Sequence, residues 1–342
     1  MNFRTHVELP EKQTEIFHSA RITLFGSCFA ESIGNLLAEN KFRCEINPFG
    51  VLYNPISIAS ALRQILDDKV YQEEDLFEAR GNWHSWMHHS LFSTPSPKET
   101  LTKINDRLAK AKKILMKAKN NCEPVSKVQP PEDWLMITFG TAYVYKNKET
   151  QAIVGNCHKM PERMFIRSML DAKTIVLEWE DVLKKLREAN PNLKVIFTVS
   201  PIRHAKDGMH GNQLSKSTLL LAVDQICQTC PHCYYFPSYE IMMDELRDYR
   251  FYADDMLHPS PLAIEYIWEC FSNSYFSTKT KAILQEWSEI RKAITHKPFH
   301  PESEAYHTFL SQIVLKIVRM KEKLPYLEVQ KELELCECRL KI

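Results

Sequence analysis

The sequence predicts an α/β chain, with a mainly parallel sheet covered by helices on both faces and a helical extension at the C-terminal end. From residue 21 to about 275, short apolar runs that read as strands alternate with segments of helical apolar spacing. That alternation is the sign of strand–helix–strand units. Residues 277–342 hold no strand-like run, only amphipathic helical spacing. No internal repeat is visible. The expected division is an α/β domain over 1–276 and a helical extension over 277–342.

The elements follow in order. "RITLFG" (21–26) reads as a short buried strand, and "CFAESIGNLLAENKF" (28–42) places Phe29, Ile33, Leu36 and Leu37 at helical spacing. "FRCEINPFGVLYNP" (42–55) gives a strand and then a loop rich in Asn, Pro and Gly. "ISIASALRQILDD" (56–68) is a helix, and 76–92 is aromatic and irregular. "SPKETLTKINDRLAKAKKILMKAKNN" (96–121) is a long basic helix, with Ser96 as N-cap and Glu99 three residues on. "DWLMITFGTAYVY" (133–145) is a strand running into a turn. The helix of "TIVLEWEDVLKKLREANP" stops before Pro191. "LKVIFTVSP" (193–201) is a strong buried strand, and helices are expected over 213–230, after the short strand of "CYYF", and from Pro261. In the extension, "KAILQEWSEIRKAI" and "EAYHTFLSQIVLKIVRMKEKL" are amphipathic. In the latter, Phe309, Ile313, Ile317 and Met320 form one stripe, with Leu310, Val314 and Val318 beside it. A stripe that wide has to be covered, by the body or by a second copy.

Composition narrows the function classes. The chain has 342 residues, 44% of them hydrophobic, enough for a sizeable core. Lys and Arg total 44 against 43 Asp and Glu, a net charge of +1. That balance calls for neither nucleic acid nor an anionic membrane as partner. No apolar run reaches a membrane span, and the first twenty residues carry no apolar signal core. The ten cysteines, Cys122 among them, are spread through a chain too long for a disulfide scaffold. Reduced thiols and a cytoplasmic location are expected.

Gly26-Ser27 sits between the first strand and the first helix. Such a turn puts a serine at the carboxyl edge of the sheet and at a helix N-terminus, where main-chain N–H groups favour negative charge. A plain helix cap also explains a serine there. A serine nucleophile needs a base. "YADDMLHPSP" (252–261) offers Asp255 and His258 at i and i+3, just before the last helix of the α/β region. The carboxylate would fix the imidazole tautomer and leave Nε2 free to take the serine proton. Asp254 could serve similarly. Cys28, next to the serine, is a second conceivable nucleophile.

This constellation resembles the SGNH/GDSL hydrolase superfamily, with its nucleophile in the first block and Asp-x-x-His in the last. More closely, the chain is similar to the GSCFA family, named for the pentapeptide at 26–30. The likeness runs from about 20 to 275 through "NPFGVLYNP" (47–55), "HSWMHHSLFS" (84–93), "FGTAYVY" (139–145), "NCHKMP" (156–161), "SPIRH" (200–204), the stretch 235–252 and "DDMLHPS" (254–260). The resemblance implies a three-layer, SGNH-hydrolase-like and flavodoxin-like sandwich. It implies Ser27 as nucleophile, His258 as base and Asp255 as its orienter. Gly50 stands where the superfamily places an oxyanion-hole glycine. The superfamily's third block, Gly-x-Asn-Asp, is here Phe139-Gly140-Thr141-Ala142. The missing Asn is replaced by Thr141, or by Asn47 or Asn54, or the hole is weaker.

Other polar clusters complete the expectations. With the resemblance, Asn47, Asn54, His89, Asn156, His158, Lys159, Arg203 and His204 are expected to bind substrate. Arg, Lys and His near a serine suggest an anionic or carbonyl group on it. His84 and His88 have metal-ligand spacing but lack a zincin's glutamate, so packing is expected instead. The tryptophans of "WHSWMHH" could stack on a sugar face. In "CQTCPHC" (227–233) His232 is close to the three cysteines, but a zinc site usually has a second pair at a distance and Cys336 and Cys338 are far off in the tail, so buried or half-buried thiols are expected rather than zinc. No metal and no cofactor are expected. The reading is an esterase that hydrolyses O-acyl, often acetyl, esters through an acyl-serine. Acyl transfer to an alcohol, or binding without turnover, are the alternatives. A small-molecule or carbohydrate ester is the expected partner, with self-association through the C-terminal helices.

Overall fold

The computed structural model describes residues 4–11, 14–116, 132–296 and 298–340. Cys122 and the expected helix end beyond 116 lie outside the described residues. In chain order the elements are β1 (Arg21–Gly26), α1 (Cys28–Glu39), β2 (Arg43–Ile46), α2 (Pro55–Leu66), β3 (Phe77–Ala79), β4 (Asn82–His84) and α3 (Pro97–Leu115). Then come β5 (Asp133–Phe139), β6 (Tyr143–Asn147), β7 (Phe165–Met169), α4 (Ala172–Ala189), β8 (Lys194–Val199), α5 (Gly208–Thr229) and β9 (Cys233–Tyr235). The chain closes with α6 (Ser238–Glu240, running into a π turn over Ile241–Glu245), α7 (Pro261–Tyr275), α8 (Thr278–Thr295), α9 (Glu304–Lys323) and α10 (Gln330–Leu340).

The central sheet has five parallel strands in the order β2-β1-β5-β8-β9. Alternate residues of its strands feed two cores. Phe25, Ile137 and Phe197 pack under α2, α3, α4 and α5, while Leu24, Met136 and Ile196 pack under α1 and α7. All seven residues of β5 are buried, as the middle strand of a covered sheet must be. Local chemistry fixes the helix starts: Asn54, Ser96 and Ser260 cap α2, α3 and α7, each of which has proline in its first turn. The predicted three-layer α/β sandwich is the observed one.

Two hairpins depart from the sequence reading. The irregular 76–92 stretch contains β3 and β4, antiparallel and turned by Arg80 and Gly81 at φ 53° and 74°. β7 pairs antiparallel with β6. Four of its five residues are exposed, so no apolar pattern announces it. α5 also starts at Gly208, five residues before the apolar run that announced it.

The extension forms α8, α9 and α10 around their own core, which includes Trp287, Leu310, Ile313, Ile317, Met320 and Cys336. Phe309 and Val318 stay partly exposed, so the covered stripe is narrower than the sequence suggested. The body supplies cover. Trp287 Nε1 donates to Glu39 O at 2.8 Å, Lys41 pairs with Glu332 at 2.6 Å, and the Tyr326 hydroxyl lies 3.1 Å from His18 Nδ1. Among the described residues, no helix is long and apolar enough to cross a membrane.

Candidate active site

Strand register brings the site together. Gly26 is level with Thr138, and Thr138 with Thr198. The residues that follow, Ser27, Gly140-Thr141 and Ser200, therefore share one edge. The chain leaves β1 toward β2 on one side and returns to β5 on the other, which makes this the topological switch point, where open α/β sheets keep a crevice. Gly26 is required there: at φ +149° a Cβ would lie 2.3 Å from Thr138 O. Ser27 is the N-cap of α1, accepting from Phe29 N at 3.3 Å, and its hydroxyl donates to Ser200 Oγ at 3.0 Å. Cap and candidate nucleophile are the same atom. Ser27 is only 1% exposed.

The 252–260 loop closes on itself through the Tyr252–Pro259 bridge and the bond from Ala253 N to His258 O at 2.8 Å. Asp255 Oδ1 accepts from Leu257 N and His258 N, each at 2.9 Å, and Oδ2 lies 2.5 Å from His258 Nδ1. The two main-chain N–H groups, and then the ring, hold the Asp255 carboxyl down at about 2. An ionised Asp255 takes Nδ1–H and leaves the Nε2 lone pair outward. Arg203 N donates to Leu257 O at 3.4 Å, so this loop docks on the segment following β8. No hydrogen bond joins His258 to Ser27 among the described residues; the serine proton points at Ser200.

The two expected oxyanion donors are already engaged. Gly50, at φ +76°, donates its N–H to Asn47 O at 2.7 Å. Thr141 donates its N–H to Tyr53 O at 3.0 Å, and its hydroxyl lies 3.1 Å from Ser215 Oγ while accepting from Tyr143 N. Gly50 thus has no spare hydrogen in this conformation, while the Thr141 hydroxyl keeps one where Ser215 is the donor of their pair. Asn47 differs: Oδ1 accepts from Gly26 N at 2.9 Å, while Nδ2 is buried with no partner among the described residues. Asn54 is occupied as the α2 cap, bonding to Ser57 through both side-chain atoms.

The expected substrate-binding residues divide into two groups. Arg203 and His204 stand at the Ser27 edge. Among the described residues the Arg203 guanidinium meets only thioethers, Met243 Sδ at 3.0 Å and Met209 Sδ at 3.9 Å. Burial, then Lys216, push His204 down to about 4 against the opposing pull of Asp207 and the Gly140 main chain. The other group is structural in its bonding. His89 caps a short turn. Asn156 Oδ1 accepts from His158 N at 2.7 Å. His158 bonds Ser90 Oγ and Ser85 O through its two ring nitrogens. Lys159 is exposed at φ 56°. His84 lies within hydrogen-bond distance of Ser93 Oγ and Ala79 O through its two ring nitrogens, and His88 stacks on Phe49 at 4.4 Å. Cys230, His232 and Cys233 do converge, with ligand atoms within 4.8 Å of one another, but among the described residues no fourth ligand joins them. The Cys28 thiol lies 3.9 Å from the Tyr53 hydroxyl.

The GSCFA family matches this chain over residues 21–271. The chain belongs to the GSCFA family. The C-terminal domain of GSCFA domain proteins matches residues 287–342, so the helical extension is part of the same pattern. No curated protein matches. Among solved structures, a carbohydrate esterase family 3 protein from Talaromyces cellulolyticus is similar at 10% identity, covering 79% of this chain and 99% of that one, with a TM-score of 0.32.

Sequence reasoning about this GSCFA chain overlooked Ser200 and Lys216. Ser200 opens "SPIRH", where Arg203 and His204 are the conspicuous residues and a serine after a strand reads as an ordinary loop residue. Lys216 was announced more plainly. It falls on the buried stripe of α5 with Asn212, Leu219, Val223 and Ile226, where a lysine is out of place.

Proposed function

We propose that this GSCFA chain is a serine esterase acting on O-acyl esters through an acyl-enzyme at Ser27. The observation that supports the reading is the β1–Gly26–Ser27–α1 turn at the sheet edge together with a loop, docked on the segment after β8 through Arg203 N and Leu257 O, in which Asp255 holds His258 by Nδ1. Ser27 Oγ attacks the acyl carbon while its proton passes to His258 Nε2. The tetrahedral intermediate collapses, and His258 returns the proton to the leaving alcohol. Water, with His258 again as base, then releases the acid. The N-terminus of α1 and the unspent Asn47 Nδ2 are the groups fitted to the developing oxyanion, in place of Gly50, with the Thr141 hydroxyl able to join them where Ser215 is the donor of their pair. Arg203, with no carboxylate partner among the described residues, supports a substrate carrying an anionic or carbonyl group.

Before attack, the Ser27 hydroxyl has to turn from Ser200 to His258. Catalytic bonds that are long or misaligned without substrate commonly tighten in the complex. A second reading is transfer of the acyl group to an alcohol, favoured by the burial of Ser27, which limits access of water to the acyl-enzyme. The test is hydrolysis of p-nitrophenyl acetate by the parent and by Ser27→Ala. The expected result is a loss of roughly 10³-fold or more in kcat with unchanged folding. Equal turnover by the two proteins leaves Ser27 as a helix cap alone.

A further inference from the structure

Lys216 is a buried ammonium with no counter-ion. It is 1% exposed, and among the described residues no carboxylate lies within ion-pair distance. Its Nζ instead donates to two main-chain carbonyls, Gly140 O and Ser200 O, each at 2.7 Å. These residues immediately follow β5 and β8, the strands whose ends build the candidate site. Ser200 in turn accepts the Ser27 hydroxyl at 3.0 Å and donates its own N–H to Phe139 O at 2.8 Å.

We propose that Lys216 is a positioning residue for the Ser27 reaction, clamping the ends of β5 and β8 so that the main chain lining the Ser27 edge is held in place. This rests on the serine esterase reading above. Ordinary packing does not account for the residue. An apolar side chain would suit the α5 stripe, and burying an unpaired charge is costly. The neighbours that face it add no negative charge: Arg203 and His204 come from the segment after β8, and the Tyr239 ring lies 5.7 Å from Nζ. Burial, then Arg203, bring the ammonium down to about 7, so its charge is in balance near neutrality. A charged donor bonds the two carbonyls more strongly than a neutral amine. The clamp therefore loosens as the pH rises.

The test compares the parent, Ser27→Ala, Lys216→Met and Lys216→Gln at matched temperatures below each melting point. Ser27-dependent turnover in the parent is the precondition; without it the esterase reading fails and this proposal falls with it. Given that turnover, both Lys216 variants are expected to lose about 10–100-fold in kcat with KM changed less than about threefold, as small misplacements of a reacting group do. The parent should also lose kcat along an alkaline limb that begins near neutrality, and that limb should vanish in Lys216→Met. A merely structural lysine would lower the melting temperature and leave both kcat and the limb in place. Parental kcat in either folded variant overturns the proposal. If neither variant folds, the parental profile decides: an alkaline limb supports the clamp, and a kcat flat to pH 9 overturns it.

Discussion

Replacing His88 by phenylalanine should make the fold less sensitive to acid. The ring lies in an aromatic nest, stacked on Phe49 at 4.4 Å and edge-on to Tyr71 and Phe92. Ser85 Oγ lies 3.0 Å from Nδ1, and Nε2 is buried without a partner among the described residues. Burial, then the neighbouring His158, push His88 from 6.5 to about 3. The stability this group holds is therefore complete above pH 6.5 and is lost as the pH falls from there toward 3. At pH 5 the unfolded chain has taken up the proton and the folded chain has not, a gap of about 1.5 pH units or roughly 2 kcal/mol. A phenyl ring fills the same slot, gives up one hydrogen bond worth about 1 kcal/mol, and removes an unpaired buried nitrogen. Urea unfolding of parent and His88→Phe at pH 7.5 and pH 5.0 measures the difference. The variant should lose about 2 kcal/mol less than the parent on acidification, with His18, His158 and His204, all held near 4, contributing to the acid loss that remains. An identical acid loss in the two proteins refutes the reasoning.

The base can be identified from the acidic limb of kcat/KM, recorded for His258→Ala, His204→Ala and His158→Ala. His258→Ala should lose activity by roughly 10³-fold or more. Because His204 and His158 lie near 4, a limb centred there that disappears with one of them would move the base to that residue. Truncation after residue 276 should lower the melting temperature or cause aggregation, because it strips the Trp287–Glu39, Lys41–Glu332 and His18–Tyr326 contacts from the body. A truncated chain as stable and as monodisperse as the parent would contradict this.

The sheet was legible because its strands are covered on both faces, so "RITLFG", "DWLMITF" and "LKVIFTV" carry no polar interruption strong enough to hide them. The β6–β7 hairpin was not, because β7 packs mostly against solvent and leaves no apolar period to read. At the site, the Asp255–His258 pairing is local, two residues three positions apart in one loop, and the spacing announces it. The oxyanion donors are different. Whether Gly50 or Thr141 has a free hydrogen depends on Asn47, Tyr53 and Ser215, which reach them through the tertiary fold. Ser200 meets Ser27 across the end of the intervening strand β5, a contact 173 residues apart in sequence that no local pattern encodes.

The central claim is that Ser27 Oγ is a nucleophile activated by His258. A fluorophosphonate tests it directly, since phosphonylation needs the activated hydroxyl but not the natural acyl group. After incubation at pH 7.5, peptide mapping by mass spectrometry should place a single adduct on the peptide containing Ser27. His258→Ala should label at least about 100-fold more slowly. No adduct, an adduct on Cys28 or another residue, or parental labelling of Ser27 in His258→Ala would contradict the account.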